Sequence, residues 1–283
     1  MFEINGHTKQ LGIIGNPVEH SFSPKMHNFI SELMGNNYVY SAWRVEDVEN
    51  AIKGMRALGI RGMNVTAPHK ITVMQYLDEI DESAQLLGSV NTVVNNNGIL
   101  RGYNTDGEGF YLSMVKAGME VRGKRLLIIG AGGVTEPTAL RLIKAEPKSL
   151  TILNRTPQKV IPLKERIFNK TGFTIGTEVS EFDIIINTTS AGMEPQLDVI
   201  PTDMIEGMNN LDFINENTAV VDMIYNPEET LFLKEARERG AKTVNGLGML
   251  IYQGLIAYEL FTETKLPADI YDKVVENIFK GKF

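Results

Sequence analysis

Short apolar runs alternate with amphipathic segments twice along the 283 residues, and few folds can bury such a pattern. The first run, "LGIIG" (residues 11–15), stops at Asn16-Pro17. "SPKMHNFISEL" then reads as a helix, with Ser23 at the N-cap position and Pro24 at the first helical position. "NYVYSAWRV" is β-branched and aromatic, hence strand. "EDVENAIKGMRALG" has apolar residues at helical spacing and closes on Gly59, a C-terminal glycine. "GMNVT" is the third strand and "KITVMQYLDEI" (residues 70–80) the next helix. "VNTVVNNNGILRGYN" predicts a hairpin turning at Asn96-Asn97-Gly98. "TDGEGFYLSMVKAG" is helical, with Thr105 or Asp106 at its start. At Lys124 the alternation restarts with "KRLLIIGAGG", then a helix, the strand "SLTILNRT" and a helix after Pro157. "FDIIINTTSAG", "TAVVDMIYN" and "KTVNG" are further strands, and the tail from Gly246 is mostly helical. Strands alternating with helices form mostly parallel sheets covered on both faces. Two such runs, meeting near residues 104–124, predict two α/β domains with a cleft between them.

Charge and composition narrow the function classes. The formal net charge is -7 with no long basic run, which argues against nucleic acid as a partner. The longest apolar runs fall far short of the ~20 residues a membrane helix needs. The first residues carry no signal-type segment. There is no cysteine, so disulfides and thiolate chemistry are excluded. These features fit a cytoplasmic protein.

"LLIIGAGGVTEPTALRLI" places Gly130, Gly132 and Gly133 between a buried strand and a helix. Glycines there let a backbone approach a pyrophosphate, and the helix start offers free N–H groups and a positive dipole end. The strand before and the helix after are the context that a dinucleotide motif requires. The third position of the usual pattern is Thr135. About 20 residues on, an NAD site carries an acidic residue for the ribose 2′-OH. This chain has Asn154, Arg155, Thr156 and then Lys159. Cations there attract a 2′-phosphate, so NADP is the expected cofactor. Glu136 suits an empty helix start but is expected to repel a pyrophosphate and weaken nucleotide binding. Pro137 is tolerable within the first helical turn.

Together the blocks "GNPVEHSFSPKMHN", "NVTAPHK", "GSVNTVV", "GYNTDGEGF", "IIGAGG", "NRT", "INTTSAGM" and "GLGMLIYQG" resemble the shikimate dehydrogenase family, in order and over nearly the whole chain. The resemblance implies NADP-dependent interconversion of shikimate and 3-dehydroshikimate in chorismate and aromatic amino-acid biosynthesis, by a monomer or homodimer. It implies a substrate domain over residues 1–106, a Rossmann NADP domain over 107–246, and C-terminal helices over 247–283 that return to the substrate domain. Lys70 and Asp106 match the paired catalytic residues. Ser21 and Ser23 match the serines that hold the substrate carboxylate, Thr66 and Asn91 residues that hold ring hydroxyls, and Tyr225 and Gln253 further substrate contacts. Gly130, Ala131, Gly132, Gly133, Asn154, Arg155, Thr156 and Lys159 match NADP contacts, Met223 and Gly246 positions lining the nicotinamide, and Glu82 a further cofactor position. The departures are "VTEP" after the glycines and Lys159, where an arginine is common.

The chemistry supports this without the name. Oxidising a secondary alcohol removes a hydride, which a cofactor takes, and a proton, which needs a group within hydrogen-bond reach. His7, His20, His27 and His69 have no ligand spacing and read as turn, helix or loop residues, and no metal site is evident. A lysine beside a carboxylate is then a reasonable proton handler. Lys70 serves either as a neutral base or as a cation holding the developing alkoxide, with Asp106 orienting it. Structural roles compete: Lys70 as a strand-end cap, and Asp106 and Ser23 as helix caps. Gln253 sits in the apolar run "GMLIYQGLIAYELF" and needs a polar partner. Two other functions fit less well: a quinate/shikimate dehydrogenase with broader substrate or NAD use, and a catalytically weak nucleotide-binding sensor on the same fold.

Overall fold

The structure, a computed structural model, describes residues 3–208 and 210–280. By contacts the chain divides into two compact units, residues 1–106 with 253–282, and residues 107–252.

The first unit holds β1 (Lys9–Gly15), α1 (Ser23–Met34), β2 (Tyr38–Arg44), α2 (Val48–Ala57), β3 (Gly62–Val65), β4 (Glu79–Ile80), α3 (Glu82–Leu87), β5 (Thr92–Asn96) and β6 (Ile99–Tyr103). Its six-stranded sheet has the order β2-β1-β3-β5-β6-β4. Its β1, β2 and β3 are parallel, β5 pairs antiparallel with β3, and β6 pairs antiparallel with β5 in a hairpin. The hairpin turns where the sequence predicts: Asn97 and Gly98 have φ of 53° and 93°, the left-handed pair that a tight turn demands. Alternation along the strands divides the core between two faces. Leu11, Ile13 and Val94 pack with Tyr40, Ala257 and Phe261. Ile14, Val65 and Val93 pack with Val48, Ile52 and Met55 of α2.

Two local expectations fail. Residues 70–80 are not one helix: only Thr72–Tyr76 turn, in 3-10 form. Asp78 is drawn to the sheet instead. Its N–H donates to the Leu100 carbonyl at 3.0 Å, and its carboxylate accepts from the Leu100 N–H at 2.6 Å. These long-range bonds outweigh a helical pattern. Ser23 is not the N-cap of α1: that position is Phe22, and no side chain caps it. The Ser23 N–H donates to Ser21 Oγ at 3.2 Å, so the earlier serine meets the open end.

The second unit contains most of α4 (Asp106–Lys116), then β7 (Arg125–Ile129), α5 (Thr135–Ile143), β8 (Ser149–Leu153), α6 (Val160–Thr171), β9 (Ile184–Asn187), β10 (Ala219–Asp222), α7 (Leu231–Glu238) and β11 (Lys242–Val244). Its five strands are all parallel, in the order β11-β10-β9-β7-β8. Leu127, Ile129, Ile185, Val220, Phe232 and Leu233 centre its core. The chain then passes through α8 (Leu247–Thr262) and α9 (Ile270–Val274). Among the described residues no helix is long and apolar enough to cross a membrane.

His27 of α1 is fully buried, stacked on Tyr40 at 4.2 Å and 8°. Among the described residues neither ring nitrogen has a hydrogen-bond partner. Burial alone pushes its pKa down to about 3. A folded-state value below the unfolded one means a contribution fully present above about pH 6.5 and lost as pH falls towards 3. His27→Phe keeps the ring stack and removes the titration. Its unfolding free energy, from denaturant melts across pH, is expected to lose an acid slope of up to about 1.4 kcal/mol per pH unit relative to wild type. Identical slopes in the two proteins would contradict this.

Candidate active site

Lys70 owes its place to the backbone on either side of it. After β3 the Thr66 N–H donates to the Ile14 carbonyl, and the His69 N–H closes a turn onto the Thr66 carbonyl. His69 is buried, its Nε2–H donating to the Val45 carbonyl at 2.8 Å. The Lys70 carbonyl accepts from the Val90 N–H at 2.8 Å. The lysine thus leaves a turn pinned at both ends, and its Nζ donates to Asp106 Oδ2 at 2.6 Å. Side-chain exposure is 31% for Lys70 and 15% for Asp106, so the ammonium reaches solvent while the carboxylate is largely enclosed.

Asp106 is the first residue of α4, yet among the described bonds its carboxylate caps no backbone N–H. Oδ1 accepts from Asn91 Nδ2 at 2.9 Å, and its own N–H donates to Asn104 Oδ1 at 3.1 Å. Asn104 is held in turn by the Ser89 carbonyl and hydroxyl. The competing view of Asp106 as a simple helix cap therefore fails. Lys70 also caps no strand: the contact described for its side chain is the one to Asp106.

The orientation of Asn91 is over-determined. Its Oδ1 accepts from the Thr105 N–H and the Thr92 hydroxyl, both at 2.9 Å, which turns its Nδ2 to Asp106. A buried chain continues behind it. Asn64 Nδ2 donates to Thr92 Oγ1 at 3.0 Å, and the Tyr40 hydroxyl donates to Asn64 Oδ1 at 2.8 Å. Sequence reasoning missed Tyr40, Asn64, Thr92 and Asn104. The available signal was a polar residue inside an apolar strand, as Asn64 is in "GMNV".

The other expected substrate residues occupy separate elements. Ser21 and Ser23 stand at the start of α1, the first half-buried and the second buried. Thr66 is half-buried directly after β3, and Gln253 half-buried in α8. Tyr225 follows β10, and burial raises its phenol pKa.

In the second unit β7 runs into the glycine turn. Gly130 has φ 125°, and a Cβ there would lie 2.4 Å from Thr188 Oγ1, so only glycine fits. Around Gly132 and Gly133 a Cβ would meet nothing within 4 Å, so the space beside their backbone is open. Ala131 lies between Gly130 and Gly132, half-buried. Thr135 opens α5 and meets Thr188 through their hydroxyls at 2.9 Å. Pro137 is buried in the first turn of α5.

Glu136 requires a correction. Its carboxylate pairs with Arg166 at 2.9 Å and Lys170 at 2.7 Å, both on α6. Two cations neutralise it and hold it as a tie between α5 and α6, so the expected repulsion of a pyrophosphate has no basis.

After β8, Asn154 Nδ2 closes the turn onto the Thr156 carbonyl at 2.9 Å. Thr156, Arg155 and Lys159 are exposed, and among the described residues neither cation pairs with a carboxylate. Beyond β10, a Cβ on Gly246 would lie 2.0 Å from the Met223 carbonyl oxygen, so these two expected positions are in contact. Glu82 belongs to the first unit, exposed on the first turn of α3.

Comparison with known proteins agrees with this geometry. Residues 13–93 match the shikimate dehydrogenase substrate binding domain, residues 113–229 the shikimate / quinate 5-dehydrogenase model, and residues 246–276 the shikimate 5'-dehydrogenase C-terminal domain. Shikimate dehydrogenase (NADP(+)) of Methanococcus aeolicus is 44% identical, over 97% of this chain and 99% of that protein. A crystal structure of shikimate dehydrogenase in complex with NADP+ is 42% identical, with a TM-score of 0.87 over 98% of each chain. Shikimate 5-dehydrogenase from Listeria monocytogenes, in complex with shikimate and NAD, is 33% identical, with a TM-score of 0.89 over 97% of this chain and 99% of that one. With full-length relatives this similar and an ordered run of three domain matches, the chain belongs to the shikimate dehydrogenase family.

Proposed function

We propose that this chain is an NADP-dependent oxidoreductase that interconverts shikimate and 3-dehydroshikimate, in chorismate and aromatic amino-acid biosynthesis. The observation that carries the reading is the 2.6 Å contact between Lys70 Nζ and Asp106 Oδ2, with Asn91 locking the other carboxylate oxygen. In the reducing direction the Lys70 ammonium, held by Asp106, donates its proton to the oxygen that gathers negative charge. In the oxidising direction the hydroxyl proton returns to the amine. When bound, NADP supplies the hydride donor or acceptor.

The remaining roles complete this reading. Ser21 and Ser23, at the start of α1, hold the substrate carboxylate, where free N–H groups and the helix dipole favour an anion. Thr66 and Asn91 hold ring hydroxyls, and Tyr225 and Gln253 add contacts. Gly130, Ala131, Gly132 and Gly133 receive the pyrophosphate; the open space at Gly132 and Gly133 fits that group. Asn154, Arg155, Thr156 and Lys159 take the adenosine end, and the unpaired cations suit a 2′-phosphate. Met223 and Gly246 line the nicotinamide, and Glu82 is assigned to the cofactor by family resemblance alone. Residues 1–106 form the substrate domain, 107–246 the NADP domain, and 247–283 the C-terminal helices. The protein works in the cytoplasm as a monomer or homodimer.

Initial rates with shikimate or quinate against NADP+ or NAD+ test the function. Shikimate with NADP+ is expected to be the best pair. Arg155→Ala is expected to raise the KM for NADP+ by about tenfold or more, the scale of a lost charge-assisted contact, and to leave the KM for NAD+ almost unchanged. A preference for NAD+, or an equal effect of Arg155→Ala on both cofactors, would contradict the assignment.

A further inference from the structure

Asn187 ends β9 and Asp222 ends β10, opposite each other in the register of the sheet. Both are fully buried, and neither takes part in the proton transfer proposed above. A carboxylate so enclosed is costly unless its oxygens are satisfied. Here Oδ1 accepts from the Ile224 N–H and from Asn187 Nδ2, each at 3.0 Å, and Oδ2 accepts from the Thr230 hydroxyl at 2.8 Å. Asn187 serves the neighbouring loop in the same way. Its Oδ1 accepts from the Thr189 N–H at 2.9 Å and the Thr189 hydroxyl at 2.7 Å, and its Nδ2 also donates to the Ala191 carbonyl at 3.2 Å. One amide–carboxylate pair thus anchors the two loops that leave β9 and β10, residues 188–192 and 223–230.

The loop after β9 rises beside the glycine turn, and the loop after β10 rises beside the end of β9. Ile129, the residue before Gly130, pairs with Asn187 across the sheet, and its carbonyl accepts from the Thr188 N–H. The Met223 N–H donates to the Asn187 carbonyl at 3.1 Å, and the Gly246 N–H to the Ile224 carbonyl at 2.9 Å. The β7–β9 boundary is where the strand order reverses, and ligands of open parallel sheets bind at the carboxyl ends of strands there. Met223, Gly246 and Gly130 therefore share one buried foundation.

We infer that Asp222 and Asn187 are positioning residues that hold Met223 and Gly246 as a preformed seat for the nicotinamide half of NADP. The inference rests on the cofactor assignment above and extends it to two residues that do not touch the cofactor. The groups facing Asp222 are Asn187 from β9, the Ile224 N–H and Thr230 at the start of α7, and none carries a charge. Burial pushes the Asp222 carboxyl up to about 6. Above that pH every bond to it has a donor and an acceptor. Below it, a proton on Oδ2 turns the Thr230 hydroxyl from donor to acceptor, and that hydroxyl's own proton loses its partner.

Equilibrium titration of the full-length protein separates this from a merely structural role. Two probes are used, NADP+ and adenosine 2′,5′-bisphosphate, which lacks the nicotinamide half. Asp222→Asn puts an NH2 where an acceptor is needed. It is expected to weaken NADP+ by about tenfold, the scale of one buried donor left unpaired, and to leave the bisphosphate Kd unchanged. As pH falls from about 7.5 to about 5, wild type is expected to lose NADP+ affinity faster than the variant. The 2′-phosphate titrates alike in both proteins and cancels in their ratio. Thr230→Val removes one donor from the same carboxylate and carries the test if Asp222→Asn does not fold, with a smaller loss of the same selectivity. Equal losses for both probes, or no loss for either, would overturn the inference. Failure of wild type to bind NADP+ would instead overturn the cofactor assignment, and the inference with it.

Discussion

A lysine leaving a turn and an aspartate opening a helix, 2.6 Å apart, form the contact around which the polar network of the first unit is arranged. Neither end is free to relax. Lys70 leaves a turn pinned through Val90 and His69, and Asp106 is fixed through Asn91 and Asn104. Such a pair contributes little to stability at a partly exposed site. On the proposed function its value lies in geometry: a proton-bearing group held at one place and one angle before substrate arrives. The buried chain from Tyr40 through Asn64 and Thr92 extends that rigidity into the core, since every amide in it has its orientation fixed by donors and acceptors on both sides. Partly satisfied networks of this kind are costly, and a satisfied one specifies a single arrangement.

The second unit applies the same physics to a nucleotide. Gly130 is needed because Thr188 crowds it, whereas Gly132 and Gly133 are bare. The contrast assigns them different tasks, a close internal approach for the first and an open face for the others. Among the described residues the cations after β8 have no carboxylate to answer them, in a chain whose net charge is -7. Glu136 shows the opposite outcome. A carboxylate close in sequence to the glycine turn is neutralised by Arg166 and Lys170, so proximity along the chain misleads about electrostatics.

Much of the fold is legible in residue order because periodicity and turn chemistry are local. The strand-helix alternation, the Asn97-Gly98 turn and the glycine after α2 all depend on near neighbours. What fails depends on distant ones. The segment 70–80 has a helical pattern, but Leu100 draws Asp78 into the sheet. The fate of Glu136 is decided by side chains 30 and 34 residues later. Ser23 looks like a cap, but the path by which the chain enters α1 gives that role to no side chain. The pairing of Lys70 with Asp106 is likewise not local; family resemblance supplies it, and periodicity cannot. The residues behind Asn91 carry no sequence signal beyond polarity in apolar strands, and only the assembled sheet joins them.

Removing the lysine charge tests the central claim most directly. Lys70→Met keeps the apolar stem and approximate volume, and steady-state rates with shikimate separate kcat from KM. If Lys70 handles the proton, its interaction is stronger in the transition state than in the ground state. The account then predicts a fall in kcat of about a hundredfold or more with the KM for shikimate comparatively unchanged. A double variant with Asp106→Asn should be little slower than the poorer single one, because the pair acts as a unit. A Lys70→Met enzyme that retains most of its kcat while its KM rises would contradict the account and leave Lys70 as no more than a clamp for substrate.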